Sequence, residues 1–77
     1  MNAAQFIRLA SDITEYGKPC GYYEYVDNII NQNRNDAAKY YGVRPYEITR
    51  YAEMIAKSLE NIGCVVIPEC LTNPLEY

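Results

Sequence analysis

Four basic side chains, Arg34, Lys39, Arg44 and Arg50, fall in one short stretch, RNDAAKYYGVRPYEITR, with Tyr46 and Glu47 between the last two. A guanidinium presents a rigid fork of donors that suits paired oxygen acceptors, and a lysine ammonium meets an anion as a point charge. Residues 34–50 set those four bases against two acids, Asp36 and Glu47, for a local charge of +2. The rest of the chain sets Arg8, Lys18 and Lys57 against eight acids, so the whole carries −3. Positive charge is thus concentrated in one place within an acidic chain. An overall acidic balance is not the usual footprint of a nucleic-acid binder, and a basic cluster can also be a solvated face.

Other chemistry is sparse. There is no histidine, which removes the commonest general base. No Gly-rich phosphate loop, Ser-His-Asp set or convincing pair of carboxylates is present. The chain is therefore not expected to be an enzyme. Cys20, Cys64 and Cys70 have no CxxC spacing, so no metal site or cofactor is expected. A Cys64–Cys70 disulfide is open to the chain, but free thiols in a reducing cytoplasm are the simpler expectation. The opening residues MNAAQFIRLASD lack the basic start and sustained apolar run of a secretory leader, and no apolar run approaches transmembrane length.

At 77 residues the chain is read as one domain with a modest core. Its aromatic content is lopsided, with nine Tyr, one Phe and no Trp. So many tyrosines in so short a chain cannot all be core, and surface Tyr is a favoured contact residue.

The elements that would position the basic cluster are helices. Residues 2–16 place Phe6, Ile7, Ala10 and Ile13 on one side, with Asn2 as N-cap and Gly17-Lys18-Pro19 as the stop. Tyr22, Tyr25, Val26, Ile29 and Ile30 favour a second helix over about 22–32, although YYEYV alone would also pass for a strand. NDAAKYYG, 35–42, reads as a short helix capped by Asn35 or Asp36 and ended by Gly42. Pro45 then opens a helix to about Asn61, with Ile48, Tyr51, Ala52, Ile55, Leu59 and Ile62 inward. The CVVI run, 64–67, could be a short C-terminal strand or an extended segment packed on the core. The expectation is an all-α small helical bundle over 1–68, with 69–77 as a tail.

The segment 35–61 has the residue types of a helix-turn-helix. Ala38 is small enough for close approach, Gly42 tolerates positive φ, and Ala37, Tyr41, Val43, Ile48 and Tyr51 can hold the crossing angle. The same types would serve a three-helix bundle with no nucleic-acid role. DAAKYYGVRPYEITR resembles the DNA-reading segment of lac-repressor-type helix-turn-helix regulators, and it is similar to that of small phage repressors and excisionase-like proteins. The resemblance covers roughly 18 of the 77 residues. It departs from the family at Arg44-Pro45, where a small hydroxyl residue usually caps the second helix. The resemblance implies double-stranded DNA as partner, a second helix in the major groove, and a regulator of transcription; one such module buries little surface and two half-sites give useful affinity, so a homodimer is expected. Arg44, Tyr46, Glu47 and Arg50 would form the leading face, and Arg34 and Lys39 would meet phosphates.

A different class remains open. An acidic, Tyr-rich chain of this size also suits a phage-type inhibitor that docks on a host protein, such as an anti-CRISPR or other anti-defence protein. Tyr22, Tyr23, Glu24, Tyr25 and Asp27 would be its protein-binding patch, unless two of those tyrosines pack against the first helix.

Overall fold

The computed structural model describes residues 1–68 and Leu71. The chain is an all-α small helical bundle. Helix α1 spans Ala3–Gly17, α2 spans Tyr22–Tyr25 and runs on into a π-helical segment over Val26–Asn31, α3 spans Arg34–Tyr41, and α4 spans Pro45–Ile62.

Helix α1 begins with a reciprocal cap. Asn2 Oδ1 accepts from the Gln5 backbone N–H at 2.9 Å, and Gln5 Oε1 accepts from the Asn2 N–H at 2.9 Å. Two donors that the helix start leaves without partners are satisfied this way. The buried side of α1 is Ala3, Phe6, Leu9 and Ile13. This corrects the expected face: Leu9 is buried where Ile7 was expected, and Ile7 is about half exposed. Phe6 and Ile7 are neighbours, so helical spacing could place only one of them at the centre.

The second helix forms as expected, but not as one regular α-helix. Its π-helical turn explains an asymmetry at Ile29 and Ile30. Wider i→i+5 hydrogen bonding keeps residues four apart over the core, so Val26 and Ile30 are both buried. A three-residue step from Val26 falls short of that line, and Ile29 is 50% exposed. Helix α3 starts one residue earlier than expected. Asn33 holds the N-cap position in place of Asn35 or Asp36, and its amide donates to the Ile29 carbonyl at 2.9 Å.

The α3–α4 connection is tight. Gly42 takes the left-handed conformation, φ 72° and ψ 34°. The Val43 N–H donates to Ala38 O at 2.9 Å and the Gly42 N–H to Lys39 O at 3.2 Å, the paired bonds of a Schellman ending. Gln5 Nε2 of α1 donates to Gly42 O at 3.1 Å and braces the turn from outside. An added Cβ at Gly42 would meet only that amide, at 3.5 Å, so the backbone angle sets the cost of substitution. Gly42→Ala is expected to destabilise the fold by about 1–2 kcal/mol, and Gly42→Asn by less, in urea unfolding.

Ile48, Ala52, Ile55, Ala56 and Leu59 form the buried face of α4. Ala56 lies at its centre, and Ile62, expected inward, is 60% exposed at the edge of that arc. Beyond α4, Val65 and Ile67 pack against the core while Val66 points outward. Residues 65–68 adopt no regular secondary structure, and no strand forms among the described residues, so core packing is the outcome for CVVI. Leu71, read from sequence as tail, is buried in the core cluster.

Candidate nucleic-acid interface and the tyrosine cluster

Arg44 is the N-cap of α4, with extended backbone at φ −84° and ψ 151°. No small hydroxyl residue caps α4, and Glu47 supplies the other half of a capping box: its Oε1 accepts from the Arg44 backbone N–H at 3.2 Å. The other oxygen, Oε2, accepts from the Met1 ammonium. The Met1 contact is the main cause of the lowered Glu47 pKa, and the Arg44 N–H adds to it. Burial acts in the opposite direction. Glu47 is therefore tied to the start of α4, with a neighbouring positive charge, and is not a free acid facing outward.

Tyr46 and Arg50 lie one turn apart on the outer side of α4, and both are exposed. The Arg50 guanidinium carbon is 5.8 Å from the Tyr51 ring centroid. Lys39, in the last turn of α3, is exposed on the approach to Gly42. Lys39 and Arg44 flank the turn at Gly42, and Arg44, Tyr46 and Arg50 are exposed along the N-terminal half of α4. Arg34 opens α3 at its opposite end, about 12 Å away along the axis of an eight-residue helix.

The expected protein-binding patch divides. Tyr23, Glu24 and Asp27 are exposed. Asp27 Oδ1 accepts from Asn31 Nδ2 at 3.3 Å. Tyr22 and Tyr25 are half-buried and pack against the core. Tyr22 presses on the end of α1, where a Cβ on Gly17 would stand 3.0 Å from Tyr22 Cδ1. Tyr25 stacks on Tyr16 of α1 at 6.3 Å and 27°.

A second cluster, not anticipated from sequence, joins α1 to α3. Tyr41 is buried, and its hydroxyl donates to Asp12 Oδ2 at 2.5 Å. Tyr40, beside it, is 62% exposed and meets the Tyr41 ring edge-on at 4.9 Å. The Arg8 guanidinium carbon lies 4.6 Å from the Tyr40 centroid and 5.8 Å from that of Tyr41. The i,i+4 pairs Arg8/Asp12 and Asp36/Tyr40 were the available sequence signals, but only the packing of α1 against α3 brings them together.

Burial, followed by the hydrogen bond to Asp12, raises the Tyr41 phenol well above its ordinary 10.0. The folded pKa exceeds the unfolded one, so this contribution to stability is fully present below about pH 10 and declines as pH rises further. Tyr41→Phe is expected to lower stability at neutral pH by about 1–2 kcal/mol through loss of a bond to a carboxylate. The variant should also lose less stability than wild type between neutral and strongly alkaline pH, as measured by urea midpoints.

Among the described residues, no group of three His, Cys, Asp or Glu side chains could hold a metal ion, and no helix is long and apolar enough to cross a membrane. Cys20 and Cys64 are free and exposed. Cys70, and with it the Cys64–Cys70 pairing, lies outside the described residues. No protein-family model, curated protein or solved structure matches the chain.

Proposed function

We propose that this chain is a small DNA-binding regulator of transcription that reads duplex DNA with the N-terminal half of α4. One observation carries the reading. A Schellman turn at Gly42, braced by Gln5, joins two packed helices and leaves Arg44, Tyr46 and Arg50 exposed at the start of the second. A helix entering the major groove reads base edges with residues near its N-terminus. Arg50 and Arg44 are suited to guanine O6 and N7, and Tyr46 to a thymine methyl or a phosphate. Lys39 is suited to a phosphate, which positions the protein without specifying sequence.

The engagement of Glu47 supports the reading. A free acid on that face would repel phosphate, whereas this one is paired with an ammonium and a backbone N–H. A single module of this size covers little DNA, so a homodimer on two half-sites is the working form. The experiment is selection from a library of randomised duplexes. Enrichment of a guanine-containing site, repeated at about 10 bp spacing if the chain acts as a dimer, is expected. Failure to enrich any sequence would overturn sequence-specific reading.

A further inference from the structure

The cleft between α1, α2 and α3 has a chemistry that duplex reading does not use. Its volume is about 450 Å³, and its wall includes Tyr16, Tyr25, Tyr40 and Tyr41 with the carboxylates of Asp12 and Asp36. No basic side chain is in that wall. We propose that this cleft binds an arginine side chain presented by a partner protein.

Three observations support it. First, the charge is complementary: two carboxylates face a space that a cation would fill. Asp36 is exposed and has no hydrogen bond or ion pair among the described residues. Second, the walls are aromatic. Tyrosine faces attract cations, and the planar guanidinium stacks on them better than a compact, strongly hydrated ammonium. Third, the chain already shows the contact. Arg8 lies 4.6 Å over the Tyr40 ring, at the edge of the cleft. Arg8 covers one part of Tyr40, and a guest guanidinium would stack on the tyrosine surface that Arg8 leaves open, with Tyr16 and Tyr25 in the same wall, and take Asp36 as its carboxylate. Asp12 is held by the Tyr41 hydroxyl and adds negative charge deeper in.

The location is separate from the proposed reading face. Asp36 and Tyr40 share one flank of α3, while Asn35 and Lys39 share another. A chain could therefore hold DNA and a protein partner together, or lack one activity and keep the other.

The test uses the full chain in an NMR titration with an acetylated, amidated Gly-Ser-Gly-Arg-Gly-Ser peptide at millimolar concentration. The control peptide carries citrulline, which keeps the shape of arginine and removes its charge. Saturable shifts of the Tyr16, Tyr25 and Tyr40 ring signals are expected with arginine and not with citrulline. Tyr40→Ala and Asp36→Asn should each weaken binding by roughly three- to tenfold, while Tyr46→Ala leaves it unchanged. Both substitutions are at exposed positions, and unchanged circular dichroism would establish that the fold is kept. Equal shifts with citrulline, no saturable shift, or full affinity in both cleft variants would overturn the proposal. Equal binding of a third peptide, with lysine in place of arginine, would overturn the assignment to guanidinium. None of these outcomes depends on whether the chain binds DNA.

Discussion

Phe6→Ala is expected to cost about 3–5 kcal/mol, the usual penalty for emptying a buried aromatic site. Phe6 is fully buried, and its ring meets Tyr51 of α4 edge-on at 5.9 Å and 87°. The substitution removes the transfer free energy of the ring, leaves a cavity, and breaks the aromatic contact that joins α1 to α4. Small domains are stable by only about 5–15 kcal/mol, and a chain of this length belongs near the lower end. Each kcal/mol lowers the melting temperature of so small a domain by about 4–8 °C, so the variant should melt far below wild type or fail to fold at 37 °C. Ile7→Ala is the informative comparison. Ile7 is about half exposed, and its truncation should cost under about 1 kcal/mol. Equal losses at the two positions, measured by urea unfolding, would contradict the packing described for α1.

Arg50→Ala is expected to weaken duplex binding by about 1–3 kcal/mol, roughly five- to 150-fold, if its guanidinium takes a guanine edge. Stability should barely change, because Arg50 is exposed and its contact with Tyr51 lies at the surface. The loss should be selective, with specificity relaxed at one base position. Lys39→Ala should instead weaken binding to all sequences alike and reduce the salt dependence by about one phosphate contact. Arg34→Ala should do little, since Arg34 stands at the far end of α3 from the turn. An Arg50→Ala variant that binds its selected site as tightly as wild type would remove Arg50 from the reading face.

These effects separate what the sequence made legible from what it did not. Helix limits were legible where a local signal fixes them. Asn2 with Gln5 starts α1, Gly42 ends α3, and Pro45 opens α4, all through contacts a few residues long. The π-helical turn at Val26–Asn31 was not legible, because one wider turn leaves the apolar spacing of Val26 and Ile30 compatible with an α-helix. On α1 the inward placement of Phe6 and Ile13 was legible, but Ile7 fits the same spacing and only packing against α4 settles that Leu9 is buried in its place. The basic residues of the candidate interface were legible by type, and their grouping only in part. Arg34 opens α3 at the end away from the turn, a placement that follows from the helix limits. The ties of Glu47 to Met1 and of Tyr41 to Asp12 span 46 and 29 residues, beyond the reach of any periodicity. The same limit hid the tyrosine-lined cleft, whose walls come from three helices.

The proposed reading of DNA is tested most directly by equilibrium binding of the full chain to a fluorescent duplex as salt is raised. In non-specific binding, where Lys39, Arg44 and Arg50 would all lie against phosphates, the logarithm of the binding constant should fall linearly with the logarithm of salt concentration. The slope should be about −2 to −3 per chain, and about twice that for a dimer. The absence of any duplex binding at low salt, where even non-specific contacts to phosphate are strong, would contradict the account.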